Sequence, residues 1–277
     1  MFIFNISNST QHTRYMNRLI LVTGGSSGIG KSVAKALHLN GDRIILQARN
    51  LDKLEEASRE IDPTGFRVSF YSTDLSDPTS VEKSADQIVA EQGVPDIVIN
   101  SAGSGEWLSF NEADIYHYRD TINSPYLATA LSCKAFYDQM KSRGCGHFII
   151  INSAAAYFSY PGATGYIPAR WAMMGFAKSM QADLYSTDFK VSLITFGKVD
   201  SPYFSNNKRS ENRIPKISDW LLPTMTLEQT TKVIMKVIKS QKKSVNKPNM
   251  LLVLVFLNRL FPRSFSWLLR ITGFKEE

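Results

Sequence analysis

The sequence predicts an α/β fold, one doubly wound parallel sheet with helices on both faces. Three observations predict it. Short apolar runs rich in β-branched residues alternate with stretches of helical spacing from Leu19 to Phe196, which implies right-handed crossovers and parallel strands. The first run breaks at a glycine-rich turn and resumes at once with helical spacing. Polar clusters fall at the carboxyl ends of the runs, where parallel sheets hold their ligands. A chain of 277 residues suffices for one such domain, expected over 18–240.

The opening strand is Leu19-Ile20-Leu21-Val22-Thr23, followed by Gly24-Gly25-Ser26-Ser27-Gly28-Ile29-Gly30 and a helix from Lys31. Strand, glycine turn and helix together place a phosphate at a helix N-terminus, the Rossmann-like arrangement. One glycine makes the turn, one lets backbone approach a pyrophosphate, and one lets helix pack on strand. Gly24-Gly25-Ser26-Ser27-Gly28 also satisfies G-x-S-x-G, the nucleophile elbow of a serine hydrolase. That chemistry needs a late histidine, and none of His38, His117 and His147 lies beyond the fifth strand.

Arg43 to Ala48 is the second strand and Leu51 to Ile61 a helix. Phe66 to Ser72 is the third strand, Pro78 to Gln92 a helix, and Asp96 to Asn100 the fourth strand. Pro125 to Met140 is helical, His147 to Asn152 the fifth strand, Tyr166 to Tyr185 a helix, and Val191 to Phe196 the sixth strand. Thr226 is placed as the N-cap of a helix running to Ser240.

The residue after the second strand selects a dinucleotide. Gln47-Ala48-Arg49 offers no carboxylate to accept ribose hydroxyls or to repel a 2′-phosphate. Arg49 can grip that phosphate with its planar fork and Lys53 adds a second charge, so NADP(H) is favoured over NAD(H). The alternative is a solvated arginine at a strand end.

Up to about Pro202 the chain resembles the short-chain dehydrogenase/reductase family. The matching elements are Thr23-Gly24-x-x-x-Gly28-x-Gly30, Asp74-Leu75, Asn100-Ser101-Ala102-Gly103, Asn123, Ser153, and Tyr166 with a basic residue four places later. The resemblance implies that Gly24, Ser26, Ser27, Gly28, Ile29 and Gly30 hold the pyrophosphate and that Asp74 and Leu75 meet the adenine. It also implies that Asn100, Ala102 and Gly103 shape the floor, with Ser101 where a second asparagine is usual. Gly197-Lys198-Val199-Asp200-Ser201 looks like the nicotinamide-side loop, with Val199 and Ser201 as contacts and Phe196 where proline is usual. The glycine turn together with Ala48-Arg49-Asn50-x-x-Lys53-Leu54 looks most like the 3-ketodihydrosphingosine reductase group.

Carbonyl reduction needs hydride at carbon and a proton at oxygen. Tyr166 is placed to be the acid, or the base in the oxidative direction, and Ser153 to polarise the substrate oxygen. A phenol titrates near 10, and a cation at ~4 Å in an effective dielectric of ~20 contributes about 4 kcal/mol, about three pKa units before desolvation. Position 170 lies on the same helical face as Tyr166, one turn on. The family has lysine there; this chain has Arg170, bulkier, with donors that point differently, and held protonated. The resemblance gives Asn123 a water in the proton relay. Two functions stay open: an NADPH-dependent reductase of a ketone (or the reverse oxidation), and an NADPH-binding sensor or partner protein without turnover.

The rest of the sequence bounds these readings. Cys133 and Cys145 form no disulfide framework and fit a reducing, cytoplasmic compartment. Four scattered histidines predict no metal site. Met1 to Asn17 reads as a disordered extension, too short in its apolar start for a signal-peptide core. Tyr203 to Pro223 reads either as a mobile flap over a hydrophobic substrate or as a plain connecting loop. Most of the +7 formal charge lies in 241–277, where Lys242, Lys243, Lys247, Arg259, Arg263, Arg270 and Lys275 stand against Glu276 and Glu277. With the apolar run Met250 to Leu257, this tail suits a membrane interface or burial against the protein or a partner. The expected partners are a hydrophobic ketone or alcohol, such as a long-chain or sterol-like lipid, a membrane surface, and further copies of the chain. No nucleic acid is expected.

Overall fold

A computed structural model of the protein describes residues 17–275. The disordered extension expected over 1–17 therefore lies, but for Asn17, outside the described residues. The strands are β1 (Leu19–Thr23), β2 (Arg43–Ala48), β3 (Val68–Ser72), β4 (Ile97–Asn100), β5 (Cys145–Ser153), β6 (Asp188–Phe196) and β7 (Ser244–Lys247). They form one parallel sheet in the order β3-β2-β1-β4-β5-β6-β7. The order reverses between β1 and β4, so a crevice opens at their carboxyl ends.

Helices cover both faces because strand side chains alternate. Ile20, Val22, Ile44 and Leu46 pack against α1 (Gly28–Leu39) and α2 (Leu51–Ile61) on one face. Leu19, Leu21, Ile45 and Val98 pack against α3 (Pro78–Gln92) on the other. After α4 (Ile115–Ile122), that second face is completed by α5 (Ala128–Met140) and α6 (Tyr166–Asp183). Three short helices follow, α7 (Pro202–Asn206), α8 (Lys208–Glu211) and α9 (Lys216–Leu221). Then α10 (Leu227–Ser240) closes the first face through Ile234, Val237 and Ile238. Two final helices, α11 (Met250–Leu260) and α12 (Pro262–Thr272), meet at a 117° bend. Each fully buried aliphatic side chain contributes about 1.5–3 kcal/mol, which is why β-branched strands dominate the centre.

The doubly wound fold is the one the sequence predicts, with four local corrections. The sheet does not end with β6: Ser244–Lys247 joins it as β7, so the sheet-bearing unit runs past the boundary expected at 240. Those four residues hold one apolar side chain, Val245, and present no periodicity. α4 was not anticipated, because Thr121 is its one buried residue; Asp114 caps it, accepting from the His117 N–H. The helix expected from Pro125 begins at Ala128. Pro125 drives Ser124 out of helical space (φ −135°, ψ 109°), and a π turn over Asn123–Leu127 absorbs the break. The flap over 203–223 is neither bare loop nor one element but the three short helices α7, α8 and α9.

Candidate active site

A cavity of about 450 Å³ opens at the carboxyl ends of the strands, and it gathers most of the residues singled out by sequence. At its floor Gly24 adopts φ +66°, and a Cβ there would stand 2.8 Å from the Ala102 backbone. Only glycine meets both demands. Ser26, Ser27, Gly28 and Ile29 line the cavity as the chain turns into α1. Thr23, Gly30 and Asn100 support the cavity without lining it. Thr23 Oγ1 accepts from the N–H groups of Ser101 and Ala102 at 3.2 Å, tying β1 to the end of β4. Gly30 has no room for a side chain against the Gly24 carbonyl, which brings α1 close to β1. Buried Asn100 donates to Cys133 Sγ at 3.2 Å.

Arg49 and Lys53, both exposed, line the cavity together with Asp74 and Leu75, which follow the neighbouring strand β3. The Ser76 hydroxyl and N–H donate to Asp74 at 2.7 and 3.0 Å and hold its carboxyl below the usual range, with the Arg49 charge adding to this. Ala102 and Gly103, then Val199 and Ser201, line the opposite wall. Lys198 between them is tethered to Glu211 at 3.2 Å and Asp219 at 3.6 Å, which ties this loop to α8 and α9.

Ser153, Tyr166 and Arg170 meet in the same cavity. Ser153 ends β5, and its Oγ accepts from the Ala155 N–H at 3.2 Å, leaving its own proton to donate. Tyr166 opens α6 and is 5% exposed, while Arg170 is 8% exposed. The guanidinium carbon lies over the face of the Tyr166 ring, 4.9 Å from its centroid. Arg170 Nη1 rests 3.6 Å from Met173 Sδ, and Nε has no partner among the described residues. A Cβ on Gly103 would come within 2.9 Å of Arg170 Nη2, so the missing side chain there is what admits the larger cation. Asn152 Nδ2 donates to the Arg170 carbonyl at 3.0 Å and fixes this turn of α6 to β5.

Like Thr23, Gly30 and Asn100, Asn123 does not line the cavity. The Ser124-Pro125 break presents Ser124 instead, whose Oγ accepts from the Ser104 N–H at 3.3 Å. Among the described residues no histidine lines the cavity, so a nucleophile elbow at Ser26 finds no base there. Among the described residues, no group of three His, Cys, Asp or Glu side chains is arranged to hold a metal ion.

Sequence reasoning missed an aromatic wall. Trp107 packs against Tyr166 at 4.9 Å and Tyr160 at 5.5 Å between ring centroids. Its indole N–H donates to the Tyr203 hydroxyl at 3.1 Å, which donates in turn to the Gly105 carbonyl at 2.6 Å. Burial pushes the Tyr160 and Tyr203 phenols well above their ordinary value, so both stay protonated. Phe158, Phe204, Ile214, Leu222 and Leu269 continue the apolar lining, whereas Trp220, the centre of the expected flap, is 80% exposed.

The residues suit a dinucleotide. A glycine turn opens onto a helix N-terminus, two cations flank one end, and an unpartnered Arg170 Nε sits at the other.

The family described as short chain dehydrogenase matches residues 18–212. A 3-dehydrosphinganine reductase of Danio rerio is 28% identical over 222 residues, covering 78% of this chain and 67% of that protein. A short-chain dehydrogenase/reductase from Burkholderia phymatum, solved with NAD, superposes with a TM-score of 0.80 at 17% identity, over 95% of this chain and 99% of that one. An actinorhodin polyketide ketoreductase solved with NADPH gives 0.77 at 20% identity, over 85% and 97%.

Proposed function

The chain belongs to the short-chain dehydrogenase/reductase family, and from that premise we propose that it is an NADPH-dependent oxidoreductase interconverting an apolar ketone and its secondary alcohol. The observation that carries the reading is one cavity joining the glycine turn and Arg49 to Ser153, Tyr166 and Arg170. The nicotinamide, when bound, supplies the hydride or accepts it. The backbone N–H groups at the start of α1 bind the diphosphate, favoured by the positive end of the helix. Arg49 and Lys53 receive the 2′-phosphate, and the residue directly after β2 is Arg49 rather than a carboxylate that would repel it. The Ser153 hydroxyl donates to the substrate oxygen. Tyr166 moves a proton between its own oxygen and that oxygen, giving it up in reduction and taking it back in oxidation. The Arg170 charge stabilises the negative phenol oxygen left behind. Trp107, Tyr160 and Tyr203 keep water away from that transfer.

The aromatic and aliphatic lining fits a long-chain or sterol-like ketone. Similarity to a protein named 3-dehydrosphinganine reductase supports a keto-lipid of that kind. The test is consumption of NADPH and of NADH by the purified full chain over a panel of short and long-chain ketones. Arg49→Asp should shift the preference toward NADH by at least tenfold; an unchanged ratio refutes the role given to Arg49.

One observation favours a second reading, a cofactor-binding protein without turnover. Arg170 replaces the family's lysine and rests over the ring face with Nε unpartnered. A chain that binds NADPH, never oxidises it with any ketone, and gains turnover on Arg170→Lys would support that reading over the first.

A further inference from the structure

The α11–α12 hairpin has two unlike faces. Its inner face belongs to the protein: Leu251, Leu254 and Leu269 are buried with Phe158 and Leu222, and Phe265 stacks on Phe158 at 5.2 Å. Its outer face is apolar and open. Leu252, Val253, Phe256 and Leu260 follow at helical spacing on α11 and are each between 49% and 60% exposed, and Trp267 on α12 is 54% exposed. A contiguous exposed patch of this kind marks an interaction surface.

Charge identifies the partner. Arg259, Arg263 and Arg270 stand exposed among these side chains, and no Asp or Glu occurs between Glu228 and Glu276. An apolar stripe whose charged neighbours on the two helices are all guanidinium groups matches a bilayer with anionic headgroups, acyl chains meeting the stripe and phosphates meeting the arginines. Each helix has 11 residues, and among the described residues no single helix is long and apolar enough to cross a membrane. The two together have the length and composition to do so only as a pair bent by 117°, and the packing of Leu251, Leu254 and Leu269 on Phe158 and Leu222 keeps the hairpin against the protein, so that it would lie in the interface.

We infer that the outer face of the α11–α12 hairpin docks on an anionic lipid surface and that the cavity is loaded from the lipid side. Leu269 connects the two statements, since it lines the cavity from the same hairpin that carries the stripe. Docking brings the aromatic wall next to the acyl region, a short path for a substrate that water excludes. The route rests on the apolar-ketone reading; the docking does not.

The experiment is flotation of the full chain with phosphatidylcholine vesicles, with and without phosphatidylserine. The protein should float with the anionic vesicles, and far less with neutral ones or in high salt. Phe256→Gln with Trp267→Gln, both exposed positions, should cut flotation at least tenfold while circular dichroism stays unchanged. Arg259→Gln with Arg263→Gln and Arg270→Gln should remove the preference for phosphatidylserine. No flotation, or equal flotation by the double variant, overturns the docking. So does a dimer that falls apart in the double variant, since a second copy would then be the occupant. A long-chain ketone carried in vesicles should be turned over at least tenfold more slowly by the double variant, and a short soluble ketone at the wild-type rate. Equal slowing of both overturns the lipid route. Flotation reads binding alone, so its result is independent of whether any ketone is reduced.

Discussion

Arg170 occupies its place because of a residue 67 positions earlier in the chain. Gly103 leaves the space that Nη2 fills, and a Cβ there would stand 2.9 Å from it. Gly103→Ala should therefore push the guanidinium off the Tyr166 ring and lower kcat/KM at least tenfold. In an Arg170→Lys background the same change should cost several-fold less, because lysine has no fork to displace; a double-mutant cycle reads the coupling. The identities of Ser153, Tyr166 and Arg170 were legible in the sequence, as strand end, helix start and one helical turn. The placement of the cation over the ring was not, since it depends on Gly103, which arrives from the segment after β4. The Trp107–Tyr203 bond was hidden for the same reason: its partners are 96 residues apart and neither belongs to a motif. Asn123 was legible as a residue type, but Pro125 next to Ser124 decides which side chain faces the cavity.

Among the elements, the sequence was most readable where burial is two-sided. Strands β1, β2 and β4 are apolar runs, and α2 and α3 carry stripes that reach the core, so their positions followed from period alone. β7 and α4 bury too little to show a period and depend on their neighbours. Caps were readable as well. Thr226 and Gln229 form the reciprocal capping box of α10, Thr226 Oγ1 accepting from the Gln229 N–H at 3.2 Å and Gln229 Oε1 from the Thr226 N–H at 3.0 Å. Thr226→Ala should lower unfolding free energy by about 1 kcal/mol in a urea titration and leave NADPH affinity unchanged. A change in affinity would mean that the cap of α10 reaches the site through α1, against which α10 packs and to which it is tied by the hydrogen bond between Thr231 Oγ1 and Ser32 Oγ at 2.8 Å.

For the molecule as a whole, pH acts through groups that folding has shifted. His147 is buried, with its Nε2 2.9 Å from Ser192 Oγ; burial, helped by the charges of Arg18 and Lys190, lowers its pKa to about 4. A free histidine titrates near 6.5, so the unfolded chain takes up this proton first. The stability His147 contributes is whole above about 6.5 and declines as pH falls toward about 4. Glu112 is held near 2 by Arg213, and Asp62 falls to about 2 because hydrogen bonds from Thr64 and the Arg67 N–H outweigh its burial. Their contributions persist above about 4 and are lost as pH falls through about 2. Urea midpoints should thus fall in two stages from neutral to strongly acid pH, and His147→Gln should flatten the upper stage. The central claim concerns the phenol at the head of α6. Its most direct test is the single-turnover rate of NADPH oxidation with a long-chain ketone, wild type against Tyr166→Phe, both saturated with cofactor. The account predicts unchanged NADPH affinity and a rate lower by about 10²–10⁴-fold in the variant; an equal rate in the two proteins would contradict it.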